Sequence, residues 1–405
     1  MAEFKVGIVG KPSCGKTSFT NAACMTSFKV GSYPFTTIEA NVGVTHVRTK
    51  CACQDFDVED NPQNSICIDG IRLIPIKLID VAGLVPGAHE GKGMGNQFLD
   101  DLRQADVLIH IIDASGTLDE KGQEVTAGSY DPVDDVKFLD REITEWILGI
   151  VKDDWRRIVG RVRAEGAKLS DLLLDKLSGL KIGRVHLLKA IRESGLKAEN
   201  VDQWSDEDIC QFVEKLHTIA KPVIIAANKM DLPTAQDNYQ RLKEIYPEKL
   251  VVPVSALAEK VLKDLDKQGI IKYIPGDDDF DVLDPDKLAK GELKQLEKIK
   301  EKILKKYDGT GVQGILNKAV FSFLNYITVY PVQDVNSLTD SDGNVLPDAY
   351  LVPKGTTAKE FAGYIHSDLE DNFVHAVNAR TKMRISDDHV LEDKDVIKIV
   401  SAGGR

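Results

Sequence analysis

No apolar run in this chain approaches 18 residues, so no segment is long enough to cross a bilayer as a helix. Cysteine is scarce, six in 405 residues, which excludes a disulfide-built scaffold. A chain of this length buries an ample core without one. Positive charge is in the minority: 52 Lys and Arg stand against 64 Asp and Glu, a net charge of −12. That balance gives no general support for binding nucleic acid or membrane, so any such contact must use a local patch. Phe4–Val9 is too short for a secretory leader and has no cleavage site. With a strand starting almost at Met1, the expectation is a cytoplasmic protein with no membrane contact. Length points to two or three domains, and 42% hydrophobic with 29% charged residues is ordinary for a soluble globular chain.

What the chain does have is concentrated in short stretches. The first is Val6–Thr17, VGIVGKPSCGKT. It opens as a brief β-branched apolar run, which suits a buried strand. The rest fits G-x-x-x-x-G-K-[ST], with Gly10, Gly15, Lys16 and Thr17 in the fixed places. A polyphosphate needs many donors at close range, so the loop's N–H groups turn inward and glycine lets the chain approach. Gly10, Lys11, Pro12, Ser13, Cys14, Gly15, Lys16, Thr17 and Ser18 form this expected cradle. Lys16 would reach the β/γ-phosphates, and the Thr17 hydroxyl would ligate Mg²⁺. A helix from about Thr17 to Ala23 would point its positive end at them. The plainer reading is a glycine-rich turn, and the strand before it counts against that. Cys14, inside the loop, could make the site oxidisable.

Gly31–Asn41, GSYPFTTIEAN, reads as an irregular loop. Its paired Thr36 and Thr37 suggest a switch segment closing over Mg²⁺ and a γ-phosphate, against an ordinary Thr-rich strand edge. Ile71–Ile79 is an apolar strand ending in Asp80-Val81-Ala82-Gly83. Asp80 could hold Mg²⁺ through water, and the Gly83 N–H could meet the γ-phosphate. Gly87, Gly91, Gly93 and Gly95 follow, so a mobile second switch is expected rather than a helix.

Asp106–Ile112 is another buried strand. Lys221–Asp231, KPVIIAANKMD, ends a further one in Asn228, Lys229 and Asp231. A carboxylate at 231 can accept from N1–H and the 2-amino group of guanine, a donor pair that adenine lacks. Asn228 would brace the base and the phosphate loop, and the Lys229 stem would cover the ring. After the strand VVPV, Ser255, Ala256 and Leu257 would receive the guanine O6 through their backbone. No plain structural reading explains all four motifs in this order.

Between these stretches the texture is helical. Residues from about 131 to 205 read as a helical insertion, with Val136, Leu139, Ile143, Trp146, Ile150 and Ile158 on roughly one face. Further helices are expected near Ser170–Leu177, Arg184–Glu193 and Asp206–Ala220, the last capped by Ser205 or Asp206. Lys176, Lys181, Arg184, Lys189, Arg192 and Lys197 face only Glu193 in sequence. They could form an RNA-facing patch, but a solvated helix face is preferred. Residues from about 259 to 325 read as a helical extension, with Leu293–Lys306 a charged packing helix. From Tyr326 a β-β-α-β-β order marks a β-grasp unit, its helix starting at Thr356 or Thr357. Cys51, Cys53 and Cys67 are close enough in sequence to hold a metal. Yet C-x-C departs from zinc spacing and no fourth ligand is evident, so buried free thiols in a hairpin are expected.

Taken together, these residues resemble the Obg family of GTPases, in its YchF-like branch. The resemblance covers nearly the full chain and rests on GKPSCGKT, YPFTTIEAN, DVAGLVPGAHEGKGMGNQFL and a C-terminal TGS module ending in DVIKIVSAGG. It implies a P-loop α/β fold, a Ras-like doubly wound sheet, in residues 1–325, and a TGS β-grasp domain in 326–405. It implies a cytosolic, monomeric switch hydrolysing GTP to GDP, with Mg²⁺ and a ribosome, RNA or protein partner reached through the TGS unit and the insertion. The YPFTTIEAN motif makes Thr37 the Mg²⁺-binding threonine. Lys16, Thr37 and Gly83 carry the catalytic expectation, and Thr17, Thr37 and, through water, Asp80 the metal.

Three departures bear on this. Many YchF-like relatives alter the base motif and prefer ATP, whereas Asn228, Lys229 and Asp231 restore the guanine reading. Ser13 stands where an asparagine helps hold potassium in some relatives, which puts a monovalent cation in question. Leu84 stands where Ras-like switches use a glutamine, so intrinsic hydrolysis is expected to be slow. His89 is a candidate to orient water, a surface histidine being the plainer reading. An ATPase of the YchF type and a non-hydrolysing, nucleotide-stabilised scaffold are the rival readings.

Overall fold

A computed structural model of the chain describes residues 4–24, 42–81 and 95–402. The expected switch threonines Thr36 and Thr37, and Gly83, Leu84 and His89, lie outside the described residues.

The chain runs β1 (Lys5–Val9), α1 (Lys16–Ala23), β2 (Val42–Lys50), α2 (Ala52–Phe56), β3 (Ile66–Ile68), β4 (Ile71–Asp80), α3 (Gly95–Gln104) and β5 (Val107–Asp113). Then come α4 (Pro132–Asp153), α5 (Trp155–Glu165), α6 (Leu169–Leu177), α7 (Arg184–Ser194), α8 (Asp206–Ala220), β6 (Val223–Asn228), α9 (Ala235–Ile245), β7 (Val251–Pro253) and α10 (Ala256–Lys267). The main sheet has the order β2-β4-β1-β5-β6-β7, with β3 also paired to β4. From β4 onward the neighbours are parallel; β2 runs antiparallel to β4 over its whole length. β5 and β6 are buried at every residue, which is why they read as continuous apolar runs without alternation.

Both faces of the sheet are covered. Phe19 and Ala23 of α1 and Ala256 of α10 pack on Val6, Ile8 and Ile109. Phe98 and Leu102 of α3, Leu139 and Ile143 of α4 and Phe212 of α8 pack on Val9 and Leu108. This is a doubly wound α/β sheet, and the helical insertion shares the core of one face.

Asp131 caps α4, accepting from the Val133 N–H at 3.1 Å, with Pro132 at the first position. The single face expected from Val136 to Ile158 is corrected: Ile150 is only half-buried and α4 stops at Asp153, so Ile158 sits on α5. Ser205 caps α8 reciprocally with Asp208. The basic run is largely paired, with Lys176 on Asp154, Lys181 on Asp106 at 2.7 Å and Arg184 on Asp171 at 2.9 Å. That favours the solvated face over the RNA patch.

The expected helical extension contains a small hairpin, β8 (Ile271–Lys272) with β9 (Asp281–Val282). α11 (Lys290–Ile299) runs through a π-helical turn, Lys300–Leu304, into α12 (Lys305–Tyr307), and α13 (Val312–Asn317) follows. The C-terminal sheet has the order β11 (Tyr350–Pro353), β10 (Tyr326–Pro331), β14 (Asp395–Ser401), β12 (Phe373–Asn378) and β13 (Arg384–Ile385). β10 and β14 are parallel, and α14 (Ala358–Ile365) packs Phe361 over Val329 and Ile397. This is the β-grasp unit, with β13 a strand the sequence reading missed. Thr357, not Thr356, is the helix cap, paired with Glu360; α15 (Ser367–Asp371) follows. Tyr330, Leu338 and Leu346 of this unit join Phe4, Val47 and Ile76 in one continuous core.

Candidate functional site

The loop between β1 and α1 is closed by two glycines. A Cβ at Gly10 would sit 2.4 Å from the Ile111 carbonyl oxygen, so β5 approaches too closely for any side chain. Gly15 has φ 105°, and a Cβ there would meet Asn228 Nδ2 at 2.3 Å. Ser13 also takes left-handed backbone, φ 62°, at the loop's tight turn. Lys16 Nζ donates to the Gly10 and Lys11 carbonyls at 2.7 and 2.8 Å, which holds the ammonium across the loop. Thr17 and Ser18, in the first turn of α1, are exposed, as are Pro12 and Ser13.

Within this loop the Lys11 side chain makes no part of the cradle, and the reading of Cys14 as oxidisable is corrected. The Lys11 side chain is buried away from the cradle, 2.9 Å from Asp135 and 3.8 Å over the Tyr130 ring. Only its backbone can serve a phosphate. Cys14 is fully buried and burial pushes its thiol up to about 11, so it is no oxidisable nucleophile.

Asp80 ends β4 beside this loop, half-buried. Burial raises its carboxyl, the Lys16 charge draws it back, and Asp101 raises it. The Thr17 hydroxyl and the Asp80 carboxylate are hard oxygen donors, the chemistry that suits Mg²⁺.

The loop after β6 is tied to the first loop. Asn228 Nδ2 donates to the Cys14 carbonyl at 3.1 Å, and Asn228 Oδ1 accepts from the Ala256 N–H at 3.2 Å. One side chain thus joins three segments, as expected for a brace. It also engages the Ala256 N–H that the sequence reading assigned to a base, and the Ser255 N–H is taken by the Thr310 carbonyl, so of the three only the Leu257 N–H is left for that role. Lys229, at φ 65°, places Nζ 3.1 Å from Asp113 Oδ2. Asp113, missed in the sequence, also accepts from the Ser115 and Thr117 hydroxyls. These bonds and the Lys229 charge outweigh burial and hold its carboxyl below the usual range.

Asp231 is exposed, and Ser255 Oγ donates to its Oδ1 at 2.8 Å while also capping α10. The two residues line a cavity of about 230 Å³ whose far wall is Gln295, Lys298 and Lys302. The sequence read that helix as packing only, because a K/E-rich pattern does not say what its exposed face overlooks. Ser255 is held in turn by the Thr310 carbonyl, which its N–H meets at 2.9 Å.

A glycine-closed loop between strand and helix, a strand-end carboxylate and an exposed carboxylate beside a cavity, all at the carboxyl ends of a doubly wound sheet, are the layout of a P-loop GTP-binding protein, here with a β-grasp domain attached. Sequence profiles described as 50S ribosome-binding GTPase, Obg-like GTPase YGR210-like G4 motif-containing domain, and TGS domain match residues 5–146, 226–334 and 341–401. The uncharacterized GTP-binding protein MJ1332 of Methanocaldococcus jannaschii is 47% identical over 98% of this chain and 99% of its own. The chain belongs to the Obg family, in its YchF-like branch, and carries a C-terminal TGS domain. The ribosome-binding ATPase YchF of Bacillus subtilis is 26% identical over 91% of this chain and 87% of its own. A solved GTP binding protein from Pyrococcus horikoshii OT3 shares 36% identity over 98% of this chain and 100% of that one, with a TM-score of 0.77. The Schizosaccharomyces pombe YchF GTPase, 19% identical over 98% of both chains with a TM-score of 0.59, shares the fold. Among the described residues no helix is long and apolar enough to cross a membrane.

Proposed function

We propose that this chain hydrolyses GTP to GDP and phosphate as a slow molecular switch, and that it works on the ribosome in the cytoplasm as a monomer. Residues 1–325 would hold the nucleotide, and 326–405 with the insertion would meet the partner. The observation that carries the guanine reading is Asp231, fixed by Ser255 at the mouth of the base cavity. The relatives named ribosome-binding support the partner class.

Catalysis in this class is mostly positioning and charge stabilisation. Lys16 and the inward backbone N–H groups of Gly10 to Thr17 would neutralise charge developing on the transferred phosphoryl group. Thr17, Thr37 and, through water, Asp80 would hold Mg²⁺, which would supply positive charge against the negative charge of the phosphates. Gly83 would offer its N–H to the γ-phosphate. Leu84 cannot orient water, so the intrinsic rate stays low and the water is placed by another group, by backbone or by a partner.

Asp231 tests the reading. Losing its carboxylate removes charge-assisted bonds of about 1.5–3 kcal/mol each. Even the low end is roughly a tenfold loss. Asp231→Asn offers a donor amide, and xanthine carries an acceptor oxygen where guanine has its amino group. The variant is expected to bind GTP more weakly and XTP more tightly, with ATP poor in both proteins. Titration of the three nucleotides at fixed Mg²⁺ reads this. Wild-type affinity for ATP equal to that for GTP would return the chain to the ATP-preferring behaviour of its relatives. Turnover measured with and without ribosomes separates the switch from a non-hydrolysing scaffold.

A further inference from the structure

The sequence left Cys51, Cys53 and Cys67 without a fourth partner, and the structure brings one. Asp60 joins them, and the four donor atoms all lie within 4.8 Å of one another. Cys51 Sγ is 3.1 Å from Asp60 Oδ2, and Cys53 Sγ is 3.9 Å from Cys67 Sγ. In a tetrahedral zinc site, bond lengths near 2.3 Å to sulfur and 2.0–2.2 Å to oxygen give ligand-to-ligand edges of about 3.4–3.8 Å. To meet that geometry the Cys51–Asp60 pair opens from 3.1 Å and the longer pairs, all within 4.8 Å, draw in, each a side-chain shift of about 1 Å or less.

The four residues come from three pieces of backbone, Cys51 and Cys53 sharing one turn. Cys51 ends the β2 side of a hairpin and caps α2, where its sulfur accepts from the Cys53 N–H. Asp60 lies in the segment between α2 and β3, and Cys67 is the middle residue of β3. All thiols are free, and Cys51, Cys53 and the Asp60 side chain are nearly inaccessible. A set of three soft sulfurs and one carboxylate selects zinc over Mg²⁺. With four protein ligands it leaves no open position, so the site is structural rather than catalytic.

Charge supports the assignment. Three thiolates and a carboxylate around a dication leave two surplus negative charges. Arg72, fully buried, places Nε 3.3 Å from Cys51 Sγ and Nη2 2.8 Å from Asp60 Oδ2. A buried cation donating to two ligand atoms is an outer-shell partner that orients them and offsets their charge.

Position gives the site a purpose. Between Asp60 and Cys67 the backbone meets the TGS domain directly. The Asn61 N–H donates to the Val345 carbonyl at 2.8 Å, Gln63 N–H to Pro347, and Asn64 Oδ1 accepts from the Ala349 N–H at 2.9 Å. Arg72 adds the Leu346 carbonyl at 2.9 Å. From Asp57 to Ser65, between α2 and β3, the chain has no helix or strand, so its shape depends on what holds its ends.

We propose that Cys51, Cys53, Asp60 and Cys67 bind a structural zinc ion that fixes the loop on which the TGS domain docks. Zinc replaces the thiol protons, which leave to solvent, and no oxidant or reductant is involved. The assignment is independent of the nucleotide reading.

The test uses the tag-free full chain purified without chelator. Elemental analysis is expected to find stoichiometric zinc, and cobalt exchange to give an intense thiolate-to-cobalt absorption band. The Cys53→Ser and Cys67→Ser double variant should lose both signals. Arg72→Lys should weaken zinc about 10–100-fold in a chelator competition, as outer-shell changes do. Wild type stripped by chelator needs no substitution, so it stands even if a variant fails to fold. Its 57–66 loop should become sensitive to protease, and added zinc should restore protection. Zinc retained in the double variant, no cobalt band in wild type, or a native Cys53–Cys67 disulfide would each overturn the proposal.

Discussion

Lys11 and Lys16 occupy one loop and meet opposite fates. Lys11 turns inward to Asp135 and the Tyr130 ring, while Lys16 stays at the mouth on two loop carbonyls. A motif assigns the loop, but side-chain direction is decided by partners far along the chain. Three buried histidines carry a consequence of the same kind. Burial pushes His46, His110 and His217 down to about 3, so all are neutral in the folded protein at neutral pH. In the unfolded chain each takes a proton near 6.5. Between pH 6.5 and 3 the unfolded state therefore binds more protons, and stability falls as pH falls. The slope from each histidine approaches about 1.4 kcal/mol per pH unit. Urea midpoints measured at pH 7, 6 and 5 should drop steadily. His217→Gln, which can keep a hydrogen bond to Thr144, should show a shallower decline. An identical slope would mean that His217 is protonated in the fold.

The elements divide into those legible in sequence and those that were not. β5 and β6 were legible because a strand buried on both faces reads as an apolar run, and β1 and β4 because β-branched and leucine residues dominate them. α8 was found to the residue because Ser205-Asp206 announces its start, and the structure adds Asp208 as the reciprocal partner of that cap. The break at Asp154, the β8–β9 hairpin and β13 were missed. Two-residue strands carry no periodicity, and a helix break between two amphipathic runs looks continuous when the next run keeps the phase. Asp113 was missed because its partner Lys229 lies far along the chain, and Asp60 because it sits among Asp57 and Glu59 and no spacing marks which carboxylate turns toward the cysteines. The Ser205 cap can be measured. Ser205→Ala should cost about 1 kcal/mol, while Ser205→Gly should cost only a few tenths. Both should shift the urea midpoint with unchanged slope and leave GTP affinity alone, since the cap lies outside the nucleotide loops. A drop in GTP affinity would show that the insertion is coupled to the site.

At the scale of the whole molecule, the sequence order suggests two separable units, since every nucleotide motif ends by Leu257. The packing says otherwise. Tyr330, in β10, is fully buried among residues of both units, with its ring 5.3 Å from the Arg72 guanidinium. Phe4 packs on Tyr326 with ring centroids 4.7 Å apart, so β1, which feeds the phosphate loop, leans on the first TGS strand. A core that spans both units makes their stabilities one quantity, because neither can unfold without exposing the apolar surface of the other. Calorimetry of the full chain should therefore show a single endotherm. Tyr330→Ala should remove about 3–5 kcal/mol, the range for deleting a large buried ring. That loss should lower the whole transition, including the protection that GTP gives, and not a C-terminal part of it. Two endotherms in wild type, or a variant in which only one of two moves, would mean that the TGS domain folds alone. Its docking on the Asp60–Cys67 loop would then be an association between modules rather than a shared core. The single-core arrangement gives a partner on the TGS domain a mechanical route to β1, and through it to the loop that holds Lys16.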